Sequence, residues 1–221
     1  DLIATDGTRA LLLSEGIEAR SVEEVTGSPS LLGGRVKTLH PRIHAAILAR
    51  RADAQHQSEL EREKIEPIDL VAANLYQFGE AATRGVTGLE LMEKVDIGGV
   101  TLLRAAAKNH EDVIVVSRPE RYGPVLEELR QRGTLDPETR RELAAEAYAH
   151  TASYDASIAA KLYAEAGITF PDDLVLPLRK QRDLRYGENP HQQAAFYALR
   201  GEMGAVTGME QMHGRAASFN N

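Results

Sequence analysis

Basic side chains are concentrated in one window of the chain that contains no acidic residue. The window runs from residue 25 to residue 52, in a chain where 33 acidic residues outnumber 26 basic ones. Its cations are Arg35, Lys37, Arg42, Arg50 and Arg51. This local reversal of charge predicts a site for a small anion. A solvated basic loop would give the same pattern, and charge alone favours that simpler interpretation.

Residues 33–38 have the residue types of a phosphate-binding loop. Two glycines, Gly33 and Gly34, let the backbone approach a ligand closely. If residues 35–38 are extended, Arg35 and Lys37 point to one side while Val36 faces the core. Arg35 could then hold a phosphate through two hydrogen bonds, and Lys37 could act as a point charge or polarise a reacting oxygen.

Two shorter patterns also suggest anion binding. Thr5-Asp6-Gly7-Thr8 lies between a predicted strand at residues 2–4 and a predicted helix at residues 9–15, where free N–H groups favour an anion. A capped turn would look the same. His40 and His44 have the i, i+4 spacing of metal ligands. Pro41 and the lack of a third ligand favour instead two hydrogen-bonding histidines near a phosphate.

Asp96-Ile97-Gly98-Gly99-Val100-Thr101 is the pattern of a helix start. Asp96 is placed as a cap or pre-cap residue, and the glycines leave room for a planar ligand. The helix is predicted to run through three alanines to Lys108, which implies tight contact on more than one side. A capped, closely packed helix is the favoured interpretation of this segment taken alone.

The same helix raises a question of distance. If it is straight, Gly98 and Lys108 lie about 15 Å apart. Asp96 and Lys108 then contact one ligand only if that ligand is long, if the helix ends early, or if a partner subunit contributes.

The elements around these residues predict an α/β domain with a mainly parallel sheet. Residues 68–75 are predicted to form a strand buried on both faces, and residues 113–116 a second buried strand. Helices are predicted at residues 119–130 and across residues 134–167, the latter capped by Asp136 and forming one long helix or two. After Phe170 the periodic pattern is lost, so residues 171–221 are predicted to be a linker or the edge of another domain.

Composition excludes several classes of function. A net charge of −7 argues against non-specific binding to nucleic acid or anionic membranes, which requires a basic surface. The chain has no cysteine, which excludes disulfides, thiolate nucleophiles and zinc–thiolate sites. No apolar run approaches the ~20 residues of a membrane span and no signal peptide is visible, so a cytoplasmic location is expected. The first and last residues carry no start or stop signal, which suggests a piece of a longer protein.

Four motifs follow one another along the chain. They are Leu32-Gly33-Gly34-Arg35-Val36-Lys37-Thr38-Leu39-His40-Pro41, then Asn74-Leu75-Tyr76, then the segment from Asp96 to His110, and finally Leu184-Arg185-Tyr186-Gly187-Glu188-Asn189-Pro190-His191-Gln192. The first three closely resemble the cyclohydrolase domain of the bifunctional phosphoribosylaminoimidazolecarboxamide (AICAR) formyltransferase/inosine monophosphate (IMP) cyclohydrolase family of purine biosynthesis. The last resembles the start of that family's formyltransferase half. Several motifs in order are far more specific than one, so the resemblance outweighs the simpler interpretations.

The resemblance implies a methylglyoxal-synthase-like α/β core at residues 1–133, a helical extension at 134–170, and a linker with the start of the formyltransferase domain at 171–221, in a homodimer. It implies ring closure of 5-formamidoimidazole-4-carboxamide ribonucleotide to IMP with loss of water, without metal or cofactor. Formyl transfer from 10-formyltetrahydrofolate is expected only of a full-length parent protein. The expected partner is a small purine nucleotide, with neither nucleic acid nor a membrane involved.

The resemblance also implies roles for individual residues. The catalytic candidates are Lys37, Tyr76, Asp96 and Lys108. The substrate-binding candidates are Thr5, Gly7, Thr8, Arg35, Thr38, Asn74, Ile97, Gly98 and Gly99. The formyltransferase-site segment contributes Arg185, Tyr186, Asn189 and His191. Asp6 departs from the family pattern, which usually has glycine there, and an acid beside a phosphate is unfavourable unless it points away.

Three other functions compete with the cyclohydrolase. One is a non-catalytic regulatory module of the same fold that binds a phosphorylated effector, and another is a methylglyoxal synthase. Neither is expected to carry both the Lys37 motif and the segment from Asp96 to His110. The third is a purely structural dimerisation fragment.

Overall fold

The structure is a computed structural model of the protein and describes residues 1–199, 208 and 212–219. The chain divides into two compact units. The first comprises residues 1–77 and 88–151, and the second comprises residues 78–87 and 152–221. The cationic window and the helix that starts after Asp96 both belong to the first unit, so their geometry is defined within one body.

The first unit contains two pairs of parallel strands. β1 (Ile3–Ala4) pairs with β2 (Arg20–Ser21), and β3 (Leu70–Ala72) pairs with β4 (Ile114–Val116). A helix lies in the connection within each pair, as parallel pairing requires. The predicted α/β class is confirmed, with its parallel strands arranged as two-stranded pairs in the described part of the chain.

The helices follow the strands in chain order. They are α1 (Asp6–Ser14), α2 (Val22–Thr26), α3 (Pro41–Leu48), α4 (Ala54–Glu63), α5 (Phe78–Thr83), α6 (Gly88–Met92), α7 (Gly98–Lys108), α8 (Tyr122–Arg132) and α9 (Pro137–Glu165), with 3₁₀ turns at Leu32–Gly34 and Pro119–Arg121. α9 has 29 residues, so the segment predicted as one long helix or two is one helix. Among the described residues, no helix has the length and apolar character needed to cross a membrane.

Helix α7 is the centre of the first unit's core. It packs against α3, β3 and β4. Leu103 and Ala106 are 0% exposed, and Ala105 and Ala107 are also buried. The three alanines of this helix therefore sit in contact with more than one element, as the sequence predicts, and their small side chains permit that close packing.

Two strand predictions have different outcomes. The strand predicted for residues 113–116 is confirmed, because all three residues of β4 are buried. The strand predicted for residues 68–75 is wrong in length and burial. It contains only β3, in which Val71 is buried but Leu70 is 39% exposed. The apolar run therefore predicted more burial than this short strand has, because its outer residues reach the surface of this chain.

The second unit contains a strand pair that the sequence did not predict. β5 (Leu178–Leu184) and β6 (Ala194–Leu199) are antiparallel, with a register irregularity between Lys180 and Arg182. β5 is mostly charged and exposed, so it lacks the alternation of apolar and polar residues by which a half-buried strand is recognised. For this reason the prediction of a linker or the edge of another domain at residues 171–221 did not include these strands.

Candidate active site

The cationic loop is a tight turn. The backbone N–H of Leu31 donates to the Val36 carbonyl at 3.0 Å, and Val36 donates back to Leu31 at 3.3 Å. This bridge closes the turn around the 3₁₀ residues, and Arg35 takes helical angles with φ −67° and ψ −26°. Arg35 is therefore not extended, so the condition under which Arg35 and Lys37 would point to one side is not met at Arg35.

Gly34 is required by this turn. Its φ is +94°, a left-handed angle that favours glycine. A Cβ at this position would lie 2.7 Å from Cε of Lys37. The Lys37 side chain therefore passes directly over the Gly34 backbone, which fixes where its ammonium can lie.

Both cations of the loop are paired with carboxylates. Lys37 Nζ donates to Asp6 Oδ2 at 2.7 Å. Arg35 Nε donates to Glu93 Oε2 at 3.2 Å, and its Nη2 donates to the other oxygen of the same carboxylate. The sequence pattern gave no sign of Glu93, which is 58 residues from Arg35.

These pairs shift the ionisation of all four groups. The hydrogen bond to Asp6 raises the pKa of Lys37, with smaller contributions that include Tyr76, and the same hydrogen bond lowers the pKa of Asp6. The hydrogen bonds between Arg35 and Glu93 raise the pKa of the guanidinium and lower that of the carboxyl. All four groups are therefore charged near neutral pH.

The first turn of α1 lies beside Lys37 through the same ion pair. Thr5 is the N-cap residue, and its side chain makes no capping hydrogen bond. Gly7 and Thr8 are exposed, and a Cβ at Gly7 would meet nothing within 4 Å. The structure thus brings these three predicted phosphate residues near the cationic loop, with the Asp6 carboxylate on Lys37 between them.

Asp96 organises the start of α7 from the pre-cap position. It is buried, at 9% exposure, and Ile97 is the N-cap residue. Asp96 Oδ1 accepts a hydrogen bond from the Gly99 N–H at 2.7 Å, and Oδ2 accepts from the Tyr76 N–H at 3.4 Å. A Cβ at Gly99 would lie 2.7 Å from Oδ2. The predicted cap or pre-cap role is confirmed, and glycine is needed for the carboxylate to sit there.

The cationic loop meets the start of α7 at Thr38 and Gly98. A Cβ at Gly98 would lie only 2.6 Å from Thr38 Oγ1, so the hydroxyl rests against the glycine backbone. Thr38 is 7% exposed. This contact joins the two segments that the sequence singled out, one rich in cations and one opened by an acid.

The two histidines support the loop from α3. His40 caps α3, and its Nδ1 accepts from the Arg42 N–H at 3.2 Å. Burial lowers the pKa of His44, opposed by a hydrogen bond to the Thr38 backbone. Among residues 1–199, 208 and 212–219, no three His, Asp or Glu side chains are grouped to hold a metal ion. Both histidines make hydrogen bonds, which was the favoured interpretation of this pair.

Asn74 and Tyr76 follow the carboxyl end of β3. Asn74 Oδ1 accepts a hydrogen bond from the Tyr122 hydroxyl at 3.5 Å, and Tyr76 is 61% exposed. Tyr122 lies on α8, beyond the paired strand β4, so its approach depends on the parallel pairing of β3 and β4. The sequence did not single out Tyr122, because no spacing rule connects it to Asn74.

Two groups of predicted residues remain, Lys108 and the formyltransferase segment. Lys108 is exposed at the last position of α7, an unbroken helix of 11 residues, which places it about 15 Å from Gly98. The four formyltransferase-segment residues belong to the second unit, where Arg185 stacks on the Tyr186 ring at 5.3 Å and Asn189 N–H donates to Gln192 at 2.8 Å. His191 is exposed in the same segment.

Comparison with known proteins places this architecture in a defined class. Residues 1–101 match the MGS-like domain, an α/β fold that agrees with the parallel strand pairs described above. Residues 106–221 match the AICARFT/IMPCHase bienzyme family. The chain belongs to this family, and the family resemblance stated from its motifs is confirmed.

Several relatives are similar along the whole chain. Bifunctional purine biosynthesis protein PurH from Desulfitobacterium hafniense is 50% identical over 230 residues, and PurH from Persephonella marina is 45% identical over 224 residues. Each alignment covers 100% of this chain and 44% of the relative, so the chain spans less than half the length of these proteins. The crystal structure of ForH matches with a TM-score of 0.60 and 41% identity, over 71% of this chain and 82% of that chain.

Proposed function

We propose that the chain is the IMP cyclohydrolase part of a bifunctional purine biosynthesis enzyme. It would close the ring of 5-formamidoimidazole-4-carboxamide ribonucleotide to IMP and release water. The observation that carries this proposal is the contact between Thr38 and Gly98. It places a loop with two cations beside a helix start organised by a buried carboxylate, which suits a ligand with a phosphate at one end and a reacting heterocycle at the other.

The phosphate end is assigned to the cationic loop and the first turn of α1. Arg35 and Thr38 supply a positive charge and a hydroxyl, and Thr5, Gly7 and Thr8 supply the backbone N–H groups at a helix start. The base and ribose end is assigned to Asn74, Tyr76, Asp96, Ile97, Gly98 and Gly99. Glycines at residues 98 and 99 suit this role because they let the Thr38 hydroxyl and the Asp96 carboxylate lie against the helix start.

The reaction joins two groups of one molecule. The carboxamide nitrogen attacks the formyl carbon, and holding both in contact supplies much of the rate enhancement. Asp96 would accept the proton of the attacking amide, since an amide nitrogen is a weak nucleophile. Negative charge develops on the formyl oxygen, where the Lys37 ammonium would stabilise it. That oxygen then takes up two protons in all and leaves as water, and the ring gains its last double bond.

Tyr76 and Lys108 are kept as further catalytic candidates. Tyr76 is supported by its position, because its backbone N–H contacts Asp96 and its side chain contributes to the raised pKa of Lys37. Lys108 is supported only by the family motif. Its place at the far end of α7 leaves a long ligand or a partner subunit as the ways for it to reach the same substrate.

The remaining proposals concern the longer protein. We propose the boundaries 1–133, 134–170 and 171–221 for the cyclohydrolase core, the helical extension and the linker with the start of the formyltransferase domain. Formyl transfer from 10-formyltetrahydrofolate would require the rest of that domain, with Arg185, Tyr186, Asn189 and His191 contributing to its site. Membership in the bienzyme family supports these assignments, a homodimer and a cytoplasmic location. Sedimentation of the purified chain would test the dimer.

The proposed activity is tested by the absorbance change when the chain is mixed with the formylated ribonucleotide. Lys37→Ala and Asp96→Ala should each abolish product formation. Two matched variants control for these changes. Lys161→Ala removes a lysine from an ion pair with Glu165, and Asp53→Ala removes a capping carboxylate from α4.

Both control variants should retain activity, since neither residue belongs to the proposed site. Turnover that survives in Lys37→Ala and Asp96→Ala would exclude the assigned chemistry. Nucleotide binding without any product would support the regulatory module instead.

A further inference from the structure

The two cations of the loop are already held by carboxylates of the same chain. We propose that Asp6 and Glu93 are internal competitors for the phosphate site, so that a ligand must displace both carboxylates to bind. This inference rests on the proposed phosphate site and adds two residues that set its affinity and its preference for doubly charged anions. We call Asp6 and Glu93 the internal carboxylates.

Asp6 occupies the part of the site nearest to α1. It is the first residue of α1, the helix whose start is assigned to the phosphate, and its Oδ2 lies 2.7 Å from Lys37 Nζ. A carboxylate at a helix start, hydrogen-bonded to an ammonium, presents the same contacts as one edge of a phosphate. A phosphate and the Asp6 carboxylate would repel each other there, so Asp6 must turn away before Lys37 can contact the ligand.

Glu93 pairs with the other cation, Arg35, in a bidentate arrangement. Both of its oxygens accept from Arg35, one from Nε and one from Nη2. These are the donors by which a guanidinium holds a phosphate through two parallel hydrogen bonds. With Glu93 in place, Arg35 cannot offer that pair of donors to a ligand.

The exposure of these pairs makes displacement feasible. The side chains of Asp6 and Glu93 are 69% and 55% exposed, so water can solvate each carboxylate after it leaves. Ion pairs between exposed side chains are weak. A dianionic phosphate monoester carries twice the charge of a carboxylate and would therefore prevail, whereas a singly charged anion gains less from each cation and competes poorly.

The raised pKa of Lys37 and the lowered pKa of Asp6 support this arrangement, since both groups stay charged when the site is empty. Competition by the internal carboxylates therefore persists through the neutral range. It would weaken the binding of inorganic anions and leave the site available to ligands with additional contacts at Asp96 and Tyr76.

The test measures the affinity of the full chain for IMP and for inorganic phosphate by isothermal titration calorimetry. Asp6→Asn and Glu93→Gln should each lower Kd by about two- to fivefold, the scale of an exposed ion pair. Their effects should multiply in the double variant, because the two pairs share no residue. Asp6→Ser serves as a second variant at the helix start, and circular dichroism checks that each protein is folded.

Glu80→Gln is the matched control. It removes one negative charge and one exposed ion pair, that with Arg84, in the second unit. Its Kd values should equal those of the unsubstituted chain. An equal gain in Glu80→Gln would overturn the inference, because net charge would then explain the effect.

The outcomes separate the inference from the proposed function. If IMP binds equally to all variants, the internal carboxylates do not compete and the nucleotide site stands. If only inorganic phosphate binds, and binds more tightly to Asp6→Asn and Glu93→Gln, the inference stands and the nucleotide assignment fails. If neither ligand binds to any variant, both are overturned, since releasing the cations has exposed no anion site.

Discussion

Replacing Gly98 by alanine tests the contact that joins the cationic loop to helix α7. The new Cβ would lie 2.6 Å from Thr38 Oγ1, closer than real side-chain carbons approach an oxygen. Thr38 is buried, so its side chain has little room to move. Overpacking of this kind costs about 1–3 kcal/mol. Alanine's better helix propensity returns about 1 kcal/mol, so Gly98→Ala should lower the free energy of unfolding by up to about 2 kcal/mol.

A double-mutant cycle with Thr38→Ala isolates this contact. Thr38→Ala removes Oγ1, and the nearest remaining atom, Cβ of residue 38, lies 4.0 Å from the new Cβ, an ordinary contact distance. Gly98→Ala should therefore be neutral or slightly stabilising in the Thr38→Ala background, which gives a coupling of about 1–3 kcal/mol. Urea unfolding followed by circular dichroism measures all four proteins.

Gly79→Ala is the control for this cycle, because Gly79 is also near a helix start and a Cβ there would meet nothing within 4 Å. It should leave the free energy of unfolding unchanged or raise it slightly. An equal cost of Gly98→Ala in both backgrounds would refute the contact between Thr38 and Gly98, and with it the geometry on which the proposed function depends.

Three further outcomes follow from the same structure. Asp96→Asn keeps an oxygen to accept from the Gly99 N–H but loses the base, so turnover of the formylated ribonucleotide should fall by about 10²-fold or more. Its amide nitrogen cannot accept from the Tyr76 N–H, so circular dichroism must show that the variant is folded. Asn109→Ala leaves two carbonyls at the end of α3 without their buried donor, which should lower the free energy of unfolding by about 1–3 kcal/mol in urea. The lowered pKa of Asp6 and raised pKa of Lys37 mean that their pair stabilises the fold between the ordinary values of 3.8 and 10.5. Its contribution should be lost as pH falls through the lowered value or rises through the raised one, measured as the difference in unfolding between the unsubstituted chain and Asp6→Asn.

Local sequence patterns predicted those parts of the fold that local chemistry determines. Asp136 precedes a single helix that begins at Pro137, and the β-branched run at residues 113–116 contains a buried strand. The run at residues 68–75 misled because burial is set by what packs on each face of a strand, and this information lies in other parts of the chain. β5 was missed for the opposite reason, since its partner strand, not its own polarity, makes it a strand.

The sequence named residues of the candidate site, but it did not predict which of them contact each other. The family motifs named Arg35, Lys37 and Asp96, yet Glu93 entered only through a hydrogen bond across 58 residues. The sequence showed that Asp6 replaces the glycine usual in the family, but it did not show where the Asp6 side chain points. Asp6 pairs with Lys37, because a neighbouring ammonium stabilises a carboxylate more than open solvent near a helix start.

Helix α7 decides how Asp96 and Lys108 can belong to one reaction. Asp96 is fixed to the start of the helix by the Gly99 N–H, and Lys108 is its last residue, so no local bend brings them together. At ~1.5 Å per residue, the helix keeps the two ends about 15 Å apart. Lys37, in contrast, belongs to the loop that contacts Gly98 through Thr38. We therefore propose Lys37 as the lysine that acts with Asp96 within one copy of the chain, and a chemical role for Lys108 requires a ligand as long as the helix or a second copy facing the first.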